Sequence, residues 1–362
     1  MPVGVLPSMA EGLGVSLGAA GYLITVFAFV VAITAAPLTG MLGGINRKAL
    51  MAGLLAVCCL GNLITFLASD YVIVLLARIL VAGAIGVFWS TAVVTAVHLV
   101  SDRNAVRATS VVFGGVSLAT VLGIPAGTLL GEMHGWHSVF AALSLLSLVA
   151  FTVIAWSVPA IRISKSSARN AMSTILKDGP LLALFGTTVL VVTGNFLAYT
   201  YITPYLEQIA GQAPGQVGLL LLVYGGAGVI ANFAIGPFAN KALRLSLGIV
   251  TALLAVSLAT MNIAANQYAT LVLILAIWGA AYGALPVLLQ TSVFKGASAI
   301  NGSADAATAI NVALFNGAVG LGSLSGGILI NRMGPLPIPY VSAAFVLVGL
   351  VVVVASGRHK AG

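Results

Sequence analysis

Charge is what this chain has least of. Only 15 Lys and Arg and 7 Asp and Glu occur in 362 residues, 6% together, where a soluble domain carries about a quarter. A chain so poor in charge cannot cover a surface facing water, and one so rich in apolar residues does not stay unfolded, so soluble and disordered classes are both excluded. Cysteine is almost missing as well. Cys58 and Cys59 stand side by side in an apolar run, and helical neighbours point about 100° apart, so they read as packing residues and not as a disulfide or metal pair. His98, His134, His137 and His359 lack metal-ligand spacing. The net charge of +8 is scattered in ones and twos, which excludes a nucleic-acid interface. No basic stretch precedes the first apolar segment, so the signal-peptide pattern is absent.

What is abundant is apolar sequence: 60% hydrophobic residues, a mean hydropathy of +1.15 and 42 glycines. Small residues let membrane helices approach closely. A helix needs about 20 apolar residues to cross the bilayer core, and the polar breaks delimit eleven candidate spans. They are 17–42, 49–68, 71–98, 108–131, 137–158, 180–206, 215–240, 245–265, 268–293, 306–330 and 338–356. The runs are continuous and not alternating, so the fold class is all-α, a polytopic helical membrane protein. Thirteen of the 15 basic residues fall in every second loop or at the C-terminus. The opposite side has Arg332, and Arg78 lies inside a span. The positive-inside rule therefore puts the linker and C-terminus in the cytoplasm and residue 1 outside. The linker at 159–179, with Arg162, Lys165, Arg169 and Lys177, reads as a solvated segment between an N-terminal half (1–158) and a C-terminal half (180–362). A lipid or partner site there is the alternative.

The halves repeat. Gly40, Arg47 and Lys48 close a span and enter a short basic loop, and Gly236, Lys241 and Arg244 do the same 196 residues later. Gly83 and Gly279 share that offset. Parallel repeats of six helices build one class of transporter, yet five spans precede the linker. Residues 1–7 look like the outer end of a first helix whose body is not in this chain.

With these residues the chain resembles the drug:proton antiporter branch of the major facilitator superfamily, especially bacterial exporters of sugars, arabinose, purine nucleosides and chloramphenicol. Residues 40–48 resemble its helix 2–3 loop motif, with Asn46 near the place of the usual aspartate. Arg78, Gly83, Gly86 and Trp89 resemble its helix-four arginine motif. Gly115, Gly123, Pro125 and Gly127, followed by Gly131, Gly135 and Trp136, look like its helix-five exporter motif, although His137 replaces a common arginine. Proline frees a carbonyl and glycines admit a neighbour, so a bendable, closely packed helix is expected there. The resemblance implies a 6+6 helix fold in the bacterial cytoplasmic membrane. It also implies export by alternating access, proton antiport with no other cofactor, a small-molecule substrate and a monomer.

Arg78 is the sharpest single residue, about 10 Å into its span. A buried guanidinium needs an acid or a wet cavity, and all seven acids lie at or beyond span ends. Arg78 is thus expected either to reach outward to Asp70 or Glu132, or to handle substrate or protons. The family's own carboxylate partner would precede residue 2. Asn195 and Tyr199 share one helix face, as do Trp278 and Tyr282, with Gln290 two turns on. These residues, with Asn311 and Asn316, are candidate cavity linings; helix–helix hydrogen bonds are the plainer role for each. Gly225 and Gly226 lie within a span, a poor place for a phosphate cradle. An intramembrane enzyme would need acids, histidine or a nucleophile–base pair inside the spans, and the spans carry no acid. A passive facilitator or an inactive carrier is the nearer rival.

Overall fold

The computed structural model describes residues 3–42, 44–99, 105–161, 175, 177–298 and 304–356. Helices begin where a short polar side chain takes over an orphan amide. Asn46 Oδ1 accepts from Ala49 N at 2.8 Å, and Asp178 Oδ1 accepts from Leu181 N at 2.8 Å. Gly135, with φ 79°, makes the one-residue turn between two long helices that a side chain at Cβ would resist.

A 3-10 turn (Val3–Val5) and α1 (Leu6–Gly12) lead into α2 (Leu17–Leu42), α3 (Arg47–Leu67), α4 (Tyr71–His98), α5 (Ala105–His134) and α6 (Trp136–Ser157). The second half holds α7 (Gly179–Tyr199), α8 (Ile202–Gln208), α9 (Pro214–Ala264), α10 (Tyr268–Ser298), α11 (Ala304–Met333) and α12 (Ile338–Ala355). Ten helical segments among the described residues are long and apolar enough to cross a membrane. The remaining expected span, 108–131, falls within α5.

Two boundaries differ from the expectation. The span at 180–206 is interrupted after Tyr199 and resumes at Ile202. Pro204 is the cause: its ring would collide with the Thr200 carbonyl of a continuous helix. Thr200 Oγ1 and the Tyr201 hydroxyl then bond Ser323 at 2.8 and 3.0 Å. The loop expected near 241–244 is also missing. The arms Pro214–Ala239 and Lys241–Ala264 reverse direction at Ala242, which alone leaves helical geometry (φ −151°, ψ 63°).

Within the first half α3 packs on α6 and α4, and α2 on α4; within the second, α9 packs on α10 and α12, and α7 on α11 and α12. Between the halves α2 lies against α11 and α5 against α9. The two membrane ends differ in charge. One, the acidic end, carries Glu11, Asp70, Glu132 and Glu207 with Arg332; the other, the basic end, carries Arg47, Lys48, Lys241, Arg244 and Lys295 with Asp178. The contacts between halves include Gly18 and Phe29 of α2 against Gly327 and Gly320 of α11, and Gly218 of α9 against Leu129 of α5. They run from the acidic end toward mid-membrane. Residues 162–174 of the linker lie outside the described residues.

Candidate functional site

Arg78 is buried but reaches neither Asp70 nor Glu132. Asp70 instead caps its own helix, accepting from Val72 N at 2.8 Å and Ile73 N at 3.2 Å. The guanidinium turns into the first half between α3, α4 and α6. Its Nη2 donates to Asn62 Oδ1 at 2.8 Å and Thr65 Oγ1 at 3.1 Å, and it lies 4.8 Å from the Phe140 ring centroid. Both acceptors are pinned one turn back along their own helix. Asn62 Nδ2 donates to Cys58 O and the Thr65 hydroxyl to Gly61 O, each at 2.8 Å. Their oxygens are therefore presented to Arg78. A neutral, acceptor-rich pocket holds the charge, with Nε left unpartnered. Asn62 and Thr65 stand three residues apart on one face of an apolar helix, a spacing in the sequence that could have located this pocket; Phe140 gives no such signal. Cys59 Sγ lies 3.4 Å from Ser144 Oγ, a packing contact between α3 and α6.

The second half gathers most of the remaining candidates. Trp278 Nε1 donates to Asn195 Oδ1 at 2.8 Å. Indole can only donate, so this bond fixes the Asn195 amide with Nδ2 pointing the other way. That nitrogen is buried without a hydrogen-bond partner, as is the Tyr224 hydroxyl. Tyr199 stacks on Tyr224 at 5.0 Å, Trp278 meets Tyr224 edge-on at 5.3 Å, and Tyr282 meets Phe196 at 5.8 Å. A second polar chain crosses three helices. Thr188 Oγ1 donates to Asn311 Oδ1 at 2.7 Å, and Asn311 Nδ2 to Gln290 Oε1 at 2.9 Å. Tyr224, on α9, is the residue sequence reasoning missed, since it carries no motif and sits beside Gly225. Asn316 only bonds Val312 O of its own helix at 2.9 Å. Trp89, on α4, is exposed and takes no part in this cluster.

The motif glycines differ in how closely they are packed: a Cβ at Gly131 would strike Val5, and one at Gly86 would press on Ala35. Among the described residues, a Cβ at Gly115, Gly123 or Gly236 would meet nothing within 4 Å, and one at Gly127 would meet Val139 at an ordinary 3.7 Å. Along the helix expected to be closely packed around Pro125, Gly131 is in tight contact with Val5, while Gly115 and Gly123 have no described atom within reach of a Cβ. Gly83 has room too, with Leu38 3.8 Å from its would-be Cβ, whereas its repeat partner Gly279 is pressed on the Tyr224 backbone. Gly228 and Gly283 oppose one another across the same α9–α10 contact. Gly40 lies in the last turn of α2. Arg47 is buried at the start of α3, its amide donating to Ile161 O at 2.8 Å and Nε and Nη1 unpartnered; Lys48 beside it is half-buried. His137 stacks on Trp136 at 3.6 Å and bonds Ala68 O at 3.2 Å, which gives it a packing role.

Two helical halves, of five and six spans, that meet along α2–α11 and α5–α9, with uncharged polar and aromatic groups between their helices, suit movement of a solute through the membrane. The sequence profile of the Major Facilitator Superfamily matches residues 1–304. The chain belongs to the major facilitator superfamily. Its fold is also that of the crystallised nucleoside transporter NupG, a mutant form of which superposes with a TM-score of 0.80 over 98% of this chain and 94% of that one, at 12% identity. The facilitator assignment makes this protein a multi-pass membrane carrier of a small molecule and not an enzyme.

Proposed function

We propose that this facilitator moves a small, uncharged, ring-bearing organic solute by alternating access, and that it works as an exporter in exchange for protons. The observation that supports the solute class is the cluster of Asn195, Tyr199, Tyr224, Trp278 and Tyr282, with the separate Thr188–Asn311–Gln290 chain across α7, α11 and α10. It combines aromatic faces with amide and hydroxyl groups and contains no formal charge. Such groups recognise rings and neutral hydrogen-bonding edges, and a charged solute would lack a counter-ion there. The resemblance to exporters of sugars, nucleosides and drugs, and the nucleoside transporter of like fold, point to the same class. The distribution of Lys and Arg supports a cytoplasmic basic end in a bacterial inner membrane, and the carrier is proposed to act as a monomer. Glu132 and Glu207, carboxyls at the acidic end whose protonated form is favoured by partial desolvation, are the proposed proton carriers.

One observation favours passive facilitation instead: among the described residues, the ten apolar spans carry no acid. Arg78, in neutral surroundings, stays protonated at physiological pH. The test is reconstitution of the full chain in liposomes with radiolabelled neutral solutes, nucleosides and pentoses first. Accumulation against a solute gradient under an imposed pH gradient supports antiport. Equilibration without accumulation replaces antiport by facilitation, and transport of charged solutes alone refutes the solute class.

A further inference from the structure

Between α7, α9 and α10 two buried polar atoms stand unused. Trp278 Nε1 holds Asn195 by its oxygen, at 2.8 Å, so the amide nitrogen is turned away from the indole. That nitrogen and the Tyr224 hydroxyl are both buried without a hydrogen-bond partner, although the Asn195 amide lies beside the Tyr224 hydroxyl. Asn195 is 0% exposed and Tyr224 5%. Folded proteins seldom leave such groups unpaired unless a function needs them. Tyr224 cannot easily turn elsewhere, since its ring stacks on Tyr199 at 5.0 Å and meets Trp278 at 5.3 Å. Its backbone is also pressed on Gly279. The depth is that of a solute site. Pro214 to Tyr224 and Tyr268 to Trp278 are ten residues each along their helices, about 15 Å from the acidic end. That is near the middle of a bilayer core about 30 Å thick.

We infer that Asn195 Nδ2 and the Tyr224 hydroxyl form a donor pair that reads one oxygen acceptor, a ring carbonyl, on the solute, with Trp278 as the positioning residue that keeps the amide nitrogen forward. The inference rests on the reading of this cluster as the solute site and narrows it. Nδ2 can only donate, so whatever serves both groups must accept from it. A carbonyl oxygen has two lone pairs and takes one bond from each donor. A ring amino group in the same place would set N–H against N–H, and a carboxylate would arrive without a cation to meet it. A site built to bond a polar edge rejects the analogue that cannot bond it. The Thr188–Asn311–Gln290 chain offers no such pair, because both ends of the Asn311 amide are already taken.

The experiment measures binding and melting of the full chain in lipid nanodiscs. The probes are tritiated inosine, whose base carries a 6-oxo group, and adenosine, with a 6-amino group in its place. Adenosine should displace the label at least about tenfold more weakly than unlabelled inosine does, for the loss of two hydrogen bonds. Tyr224→Phe should weaken inosine about two- to tenfold, the range for one net hydrogen bond, and leave adenosine unchanged. Trp278→Phe frees the amide to turn over and should shrink the preference for inosine, a ratio that a purely structural role would not move. Without solute, Tyr224→Phe should keep the parent's thermal midpoint, because no bond is lost. A clearly lower midpoint means that the hydroxyl is already paired, and overturns the donor pair. So does inosine that fails to bind, adenosine that binds as well, or an inosine affinity unmoved by Tyr224→Phe. A preference kept in full by Trp278→Phe overturns the positioning role; should that variant fail to fold, Tyr224→Phe decides alone. Equal binding of both nucleosides with passage of both into liposomes overturns the donor pair and leaves the solute class standing. Selective binding without passage overturns the transport reading only.

Discussion

Replacing Arg78 by methionine should cost little, whereas replacing its acceptor Asn62 by leucine should cost a great deal. In place, the guanidinium gains two charge-assisted hydrogen bonds from Nη2, each worth about 1.5–3 kcal/mol. Against that stands a penalty of about 2.5–3.5 kcal/mol for an Arg at mid-membrane depth. The ring of Phe140 adds about 0.5–2 kcal/mol, and the unpartnered Nε subtracts a similar amount. These nearly cancel, so Arg78→Met is expected within about 2 kcal/mol of the parent, the usual result when a buried charge gives way to a well-packed apolar group. Asn62→Leu removes the nearer acceptor and leaves the charge inside, a change of about 3–5 kcal/mol. The pair Asn62→Leu with Arg78→Met should then recover most of that loss. Cys58 is buried and Cys59 half-buried, both on α3 next to the pocket, so a thiol-reactive fluorophore reads unfolding in detergent directly. If Arg78→Met proves as unstable as Asn62→Leu, or the double variant recovers nothing, the neutral-pocket account is refuted. A stable Arg78→Met that has lost transport would place the charge in the transport cycle.

Three other expectations can be checked independently. Membrane-impermeant thiol reagents applied to intact cells should label Asn266→Cys and miss Ser166→Cys; labelling at Ser166 would reverse the orientation. Gly283→Leu should wreck folding or monodispersity, since its Cβ would enter the Gly228 backbone, while Gly123→Leu should still yield folded protein, since no described residue lies within 4 Å; equal damage from both would refute the packing map. Glu207 is raised by burial and then by the charge of Glu132 on the other half, and Glu132 by burial. The closed arrangement therefore holds protons more tightly than the open one. Closure should strengthen as pH falls through the carboxylate range and weaken as pH rises above the raised values. Spin-label distances across the acidic end check this, and the pH response should shrink in Glu207→Gln.

The helical bundle was legible because lipid imposes a coarse rule, about 20 apolar residues per crossing, and the polar breaks fell close to the observed helix ends. What failed was finer. Pro204 stood in the sequence as a reason to break the span at 180–206, but it was overridden by the length of the apolar run. The break near Ala242 was announced by Gly236, Pro237 and Asn240 and by the basic pair Lys241 and Arg244, but its confinement to one non-helical residue was not. For packing, the motif did not separate its glycines: Gly131 is tightly packed while Gly115 and Gly123 meet no described atom, and of the closely packed Gly228, Gly279 and Gly283 the repeat pointed to Gly279 alone. Which face of a uniformly apolar helix meets a neighbour is not written in its hydropathy, because every face is apolar. Arg78 showed the opposite case. Its depth was readable, but its direction depended on Asn62 and Thr65 being tied back to their own helix, a matter of side-chain geometry.

The α9–α10 contact through Gly228, Gly279 and Gly283 has a consequence for temperature. Helices meeting in lipid expel no water, so their backbone contact lacks the entropic part that fades when hydrophobic association is cooled. This pair should stay docked on chilling as firmly as in warmth. Slowing of the carrier in the cold then belongs to the lipid and to the parting of the two halves, and a preparation chilled for storage keeps its C-terminal half intact.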